Sequence, residues 1–269
     1  MKETRFFHVP DAEIAGLLPQ EEAVHALRVL RLQPGDEMFL IDGVGHFFRA
    51  RVTLADNKHC AYEIVEKLPQ QREWMGRIHI AMAPTKVIDR VEWMVEKATE
   101  IGFDEISFLS CRFSERKVVK TERMEKIVVA AMKQSRKAWK PIVNDMVAFD
   151  SFVKRPIDGF KCIAHCYEEI PREDFFSLLG KASDAVDSDT TLTTSGMKCS
   201  SVANPSDTVT VLIGPEGDFS IDEVRMAIDH GFIPVSLGNF RLRTETAALA
   251  AVMMAHLAKR TSPGSMQSS

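Results

Sequence analysis

Apolar and polar positions alternate in short runs up to about residue 70, then settle into a longer rhythm of strand and helix. The early runs are Arg5–Val9, Glu37–Ile41, His46–Leu54 and Cys60–Val65, each of strand length. A short helical stretch, Glu21–Leu30, stops before Gln33-Pro-Gly-Asp36. Asp42-Gly-Val-Gly45 separates two of the runs as a hairpin signal. Residues 1–70 are therefore expected to form a small, mostly β domain, a barrel or a sheet. The polar, proline-marked segment Leu68-Pro-Gln-Gln-Arg-Glu73 is the expected boundary.

Beyond Arg77 the pattern reads strand, helix, strand, helix. Ile78–Ala83 is a strand, and Val87, Val91, Met94, Val95, Ala98 and Ile101 step along one helical face that Gly102 closes. Ile106–Ser110 follows as a strand. A second helical stripe carries Met124, Ile127, Val128, Ala131, Met132, Ser135 and Trp139. Lys161–Tyr167, Val209–Ile213 and Phe232–Leu237 read as three further strands, and Ser220 with Glu223 as a capping box. Such alternation implies an α/β domain over residues 71–260, with a mostly parallel sheet covered by helices. Residues 180–207 and the tail 261–269 are rich in Ser, Thr, Asp and Gly, and are expected to be a flexible insertion and a disordered end.

Composition narrows the class. The chain has 269 residues, 45% hydrophobic and 27% charged, and its N-terminus is too charged for a signal peptide. A cytoplasmic protein with no membrane span is expected. Five cysteines stand at 60, 111, 162, 166 and 199, without paired zinc spacing. Cys162 and Cys166 would share one strand face, and burial is favoured over metal binding, so no metal is expected. The net charge of −4 argues against indiscriminate nucleic-acid binding, yet Arg112–Lys140 holds ten Lys or Arg against three Glu. That band reads equally as a phosphate-contacting face or as a solvated helix face.

The candidate chemistry lies near the C-terminus. Val211-Leu-Ile-Gly-Pro-Glu-Gly-Asp-Phe-Ser220 and Val235-Ser-Leu-Gly-Asn-Phe-Arg-Leu-Arg-Thr-Glu-Thr246 each pass from an apolar run through a glycine turn into a helix. Ligands of α/β sheets sit at such turns. The first turn lacks the Lys and Ser/Thr of a phosphate loop, and Glu216 would repel a polyphosphate. No Gly-x-Gly-x-x-Gly is present for a dinucleotide. A ligand with adenine, ribose hydroxyls and a positive centre suits the turns, although the first taken alone reads better as a plain strand-to-helix connection. From Ala247 to Ala258 only His256 is polar, so the last helix is expected to be buried all round, between the sheet and a second subunit.

These two turns closely resemble those of the ribosomal small-subunit RNA methyltransferase E family, within the knotted SPOUT class of methyltransferases. His25-Ala-Leu-Arg-Val-Leu-Arg-Leu-Gln-Pro-Gly-Asp36, Lys86, Glu92–Gly102, Ser114-Glu-Arg116 and Gln134-Ser135 extend the resemblance over residues 5–258. It implies an N-terminal PUA-like β-barrel for RNA and a C-terminal SPOUT α/β domain with a deep trefoil knot. It further implies a homodimer, S-adenosylmethionine as cofactor, and methylation of uridine N3 in the 16S ribosomal RNA of the small ribosomal subunit. The cofactor is then expected against Ile213, Gly214, Glu216, Gly217, Leu237, Gly238, Leu242 and Thr246.

Arg243 is the leading candidate to stabilise the uracil anion, with Arg116 second, and a phosphate contact or a structural ion pair is the alternative for each. Glu115 is expected to pair with a nearby Arg, and Thr244 and Glu245 are candidate caps of the last helix. Arg5, Arg28, Arg31, Arg112, Lys117, Lys133 and Arg136 are the expected RNA-backbone contacts. A ribose 2′-O or transfer-RNA methylase, and a non-catalytic RNA-binding factor, are the rival readings.

Overall fold

The computed structural model describes residues 5–180 and 208–260. The proposed insertion and tail lie almost wholly outside them. The chain divides into two compact units: the first runs to Arg72 and takes in Lys126–Lys140, and the second holds Glu73–Glu125 and everything from Pro141 onward.

The first unit is a four-stranded sheet in the order β1-β2-β3-β4: Phe6–His8, Glu37–Ile41, His46–Ala55 and Cys60–Pro69. β1 runs parallel to β2, and the other pairings are antiparallel. Alternate side chains point inward, so Met38, Leu40, Phe48, Ala50, Val52 and Tyr62 share one core with Phe7. The hairpin forms at Asp42–Gly45, where Asp42 Oδ1 accepts the N–H groups of Val44 and His46 at 2.8 and 3.0 Å. After a single turn, α1 (Ala12–Ala15), the helical stretch is α2, Gln20–Val24, followed by one wide turn, His25–Val29, in which Leu30 N–H reaches His25 O at 3.1 Å.

The helix Thr121–Ser135, α4, carries the second apolar stripe, but Trp139 is not on it. Arg136 takes a positive φ of 56° and ends the helix, and Trp139 forms a bridge with Val44. Gly45 lies under that indole: a Cβ there would fall 3.0 Å from the ring, at a φ of +117° that already favours glycine.

The second unit holds a seven-stranded sheet ordered β7-β6-β5-β10-β8-β11-β9, every pairing parallel. The strands are β5 Arg77–Met82, β6 Glu105–Ser110, β7 Ile142–Ala148, β8 Phe160–Ala164, β9 Glu173–Asp174, β10 Thr208–Ile213 and β11 Ile233–Ser236. The sequence pattern missed β7 and β9. β7 is an edge strand interrupted by Asn144-Asp145, and β9 is two residues long, so neither shows an apolar alternation. Helix α3, Ile88–Ile101, buries Val91, Met94, Val95 and Ala98 as its period requires. Gly102 follows because a Cβ there would sit 2.8 Å from the Trp74 ring.

One expectation changes here. β8 ends at Ala164, so Cys162 is buried in the strand while Cys166 is exposed in the loop beyond it. The Cys166 N–H leaves the ladder for Asp218 Oδ2, at 2.7 Å. The last helix, Thr244–Lys259 (α7 here, after α5 Phe149–Val153 and α6 Ile221–Asp229), is not buried all round within the chain. Ala248, Ala251, Val252 and Ala255 are buried, whereas Met253 and Leu257 remain 42% and 50% exposed.

Candidate functional site

β10 lies between β5 and β8, and β11 on the far side of β8. In register, Ile213 stands opposite Ala164, and Ala164 opposite Val235. The chain therefore leaves three neighbouring strands at one level of the carboxyl edge, which brings both glycine turns and the 165–167 loop together. They enclose a cavity of about 520 Å³.

The first turn is tightly built. A Cβ on Gly214 would meet the Phe219 backbone nitrogen at 3.0 Å, so only glycine fits where the chain doubles back. Asp218, at φ 70°, accepts Phe219 N–H through Oδ1 and Cys166 N–H through Oδ2, both at 2.7 Å. Tyr167 Oη donates to Phe219 O at 2.8 Å. Glu216 Oε1 accepts the Lys86 N–H at 2.8 Å. Beyond the turn, Ser220 and Glu223 form the expected capping box of α6. In the second turn Gly238 takes a φ of +122°, and its N–H meets Ser236 Oγ at 3.3 Å. Arg243 is the N-cap of α7 and makes no side-chain cap.

Ile213, Gly214, Glu216, Leu237, Gly238 and Leu242 line the cavity, and so does Arg243. Gly217 and Thr246 do not line it. Thr244 and Ala247, one helical turn apart, present the face of α7 that does, and Thr246 lies off that face. Thr244 and Glu245 are buried in the first turn of α7 and cap nothing; Glu245 Oε1 lies 3.8 Å from Arg90 Nε.

Arg116 is not a lining residue. Its guanidinium donates to the carbonyls of Thr85 and Lys86, the loop whose N–H holds Glu216. Glu115 pairs with Lys86 Nζ at 2.8 Å, not with an arginine.

Sequence reasoning missed several lining residues, Arg90, His165, Cys166, Arg172 and Asp218, whereas Arg241 lines the cavity beside Arg243 as the arginine pair ahead of the last helix suggests. Asp218 lay inside a quoted motif, and His165 and Cys166 were read as strand. With Arg243 the cavity holds four arginines against the carboxylates of Glu216 and Asp218, an excess of positive charge. Burial holds the His165 imidazole below its ordinary pKa, so it is neutral near pH 7. Partial desolvation of its sulfur, and then the Asp218 carboxylate, push the thiol of the otherwise exposed Cys166 up, which keeps it a thiol. Among the described residues no group of three His, Cys, Asp or Glu side chains is placed to hold a metal ion. No described helix is long and apolar enough to cross a membrane.

The basic band is divided. Arg112, Arg116, Lys117, Lys120 and Arg123 belong to the second unit; Lys126, Lys133, Arg136, Lys137 and Lys140 belong to the first. Several of these charges are already matched. Arg112 meets Asp222, Arg123 meets Glu92, Lys126 meets Glu21 and Lys133 meets Glu22. In the first unit Arg136 stacks over Phe6 and Arg5 donates to Leu30 O, while Arg28 and Arg31 are exposed.

Comparison with known proteins agrees with this geometry. Residues 72–256 match the model of an RNA methyltransferase domain, and residues 18–65 that of an RNA methyltransferase PUA domain. Ribosomal RNA small subunit methyltransferase E of Aquifex aeolicus is 29% identical over 240 residues, covering 88% of this chain and 92% of its own. This chain belongs to that RNA methyltransferase family.

Solved structures of members superpose over nearly the whole chain. A probable rRNA-methyltransferase from Porphyromonas gingivalis is 40% identical, with a TM-score of 0.78, covering 95% of this chain and 98% of that one. Ribosomal RNA small subunit methyltransferase E from Neisseria gonorrhoeae, solved bound to S-adenosyl methionine, is 25% identical with a TM-score of 0.70, covering 93% and 95%. The family thus carries the PUA domain on the small sheet and the methyltransferase domain on the parallel one.

Proposed function

We propose that this chain uses S-adenosylmethionine to methylate N3 of a uridine in 16S ribosomal RNA of the small ribosomal subunit, acting in the cytoplasm as a homodimer. The observation that carries the reading is the cavity at the carboxyl edge of β8, β10 and β11. Its volume of about 520 Å³ suits a nucleoside-sized ligand. Its donor set also fits that cofactor: peptide groups of two glycine turns, a buried neutral imidazole whose Nε2 has no partner among the described residues, and two carboxylates for a cationic centre. Bound there, S-adenosylmethionine supplies an electrophilic methyl group.

The chain's own residues would manage position and charge. Ile213, Gly214, Leu237, Gly238 and Leu242 hold the ligand largely through backbone, while Glu216 brings a carboxylate fixed by Lys86 N–H. Uridine N3 becomes a nucleophile only when its proton has left, and a guanidinium beside the ring stabilises the anion that results. That role falls to Arg243, exposed at the cavity and fixed at its backbone by the start of α7. Arg116 serves as a positioning residue, because its donors are spent on the loop that orients Glu216.

A second copy would cover Met253 and Leu257 on the outer face of α7. The deep trefoil knot that the resemblance implies belongs to the same reading. Arg5, Arg28, Arg31, Lys133 and Arg136 on the first unit, and Arg112 and Lys117 on the second, would meet RNA phosphates in a salt-dependent way. The deciding test is nucleoside mass spectrometry of 16S ribosomal RNA from cells with and without the gene. N3-methyluridine should vanish on deletion and return with purified protein and cofactor; loss of a 2′-O-methyl nucleoside instead would refute the reading.

A further inference from the structure

Phe240 is 88% exposed, an unusual position for a phenyl ring. It stands in the second turn, between Gly238 and the α7 N-terminus, and it lines the cavity. Arg241 and Arg243, on either side of Leu242, line it too. The cavity's other aromatic ring, His165, is 4% exposed and cannot offer a face to an incoming group. The turn around Phe240 is open, since a Cβ on Gly238 would meet nothing within 4 Å.

The proposed reaction places a demand on this rim. N3 lies on the Watson–Crick edge of uracil, so the base must leave any stack or pair before it can receive a methyl group. An extruded base is held by stacking on an aromatic face, with cations taking its phosphates. We propose that Phe240 is the platform on which the target uracil stacks, at the cavity that it lines together with Arg243. This assignment rests on the proposed N3-methyltransferase activity and adds the residue that receives the substrate base. It also separates the two ligands: the two glycine turns serve the cofactor largely through backbone, and Phe240 serves the RNA through its ring.

The test compares Phe240→Leu and Phe240→Ala with Phe240→Tyr and Phe240→Trp in the full-length protein. Substrate is small ribosomal subunits purified from cells lacking the gene. Leucine keeps the apolar bulk but has no π face, so kcat/KM for RNA should fall about 10- to 100-fold in the leucine and alanine variants. The tyrosine and tryptophan variants should stay within about threefold of wild type, as any stacking contact predicts. Calorimetric binding of S-adenosylmethionine and the sedimentation of each variant should match wild type. The proposal is overturned if the leucine variant methylates normally, if cofactor affinity falls in parallel, or if the variants change oligomeric state. Failure of the wild-type protein to bind cofactor or form N3-methyluridine would instead remove the underlying activity.

Discussion

The two glycine turns face one cavity yet are built differently. In the first, Gly214 packs against the Phe219 backbone, both Asp218 oxygens accept N–H groups, and Glu216 and Tyr167 tie the turn to neighbouring loops. In the second, Ser236 bonds the Gly238 backbone, and Phe240, Arg241 and Arg243 are exposed. Dense bonding of this kind makes a rigid floor, and sparse bonding leaves a wall that can adapt to a bulky substrate. On the proposed function, the first turn carries more of the stability and the second more of the contact with substrate. Substitutions in the first should be read in melting temperature, and those in the second in turnover.

Four substitutions test that division. Arg243→Ala should lower methylation at least about 100-fold, the scale of losing one transition-state charge contact, while the melting temperature holds within about 1 °C. Near-normal turnover would take Arg243 out of the mechanism; a large loss of stability would erase the contrast. Gly214→Ala forces a Cβ 3.0 Å from the Phe219 nitrogen. It should cost about 1–3 kcal/mol, or a fall of several degrees at about 2–4 °C per kcal/mol.

Asp218→Asn keeps the positive φ but leaves one acceptor oxygen for two N–H groups, those of Phe219 and Cys166. Thermal unfolding should show a loss of about 1–2 kcal/mol. Gly217→Ala should change stability by less than about 0.5 kcal/mol, because the nearest atom to a Cβ there is Phe113 Cβ at 3.8 Å. A marked effect at Gly217 would show that a second position of the Gly-Pro-Glu-Gly turn is as constrained as the first.

Much of this fold was legible from local pattern. β2 was read at its observed limits, α3 within one residue at its start, and the Ser220–Glu223 box in full, because propensity and capping act over a few residues. Trp139 was not legible. Its spacing continues a helical stripe, but Arg136 ends the helix and the indole packs on Gly45, about ninety positions earlier in the chain. Cys166 failed for a similar reason, since its N–H is drawn from the strand by Asp218. The site was half legible. Residues in the two turns could be named from their own motifs, whereas Arg90, His165 and Arg172 carry no local mark and reach the cavity only through the sheet.

The sequence by itself determined most of the helices and strands, though not β7 or β9, and which turns require glycine, and it pointed to those turns as the border of one cavity. Each of these follows from backbone sterics and side-chain period within a short window. Only the tertiary structure decided that β10 enters between β5 and β8, setting Ile213 level with Ala164 and Ala164 level with Val235. Parallel pairing joins residues far apart in the chain, and no local preference encodes that register. The register gathers four arginines, two carboxylates, a buried imidazole and an exposed phenyl ring around one cavity. Long-range packing therefore fixed which charges share the site, and the turns fixed where it could form.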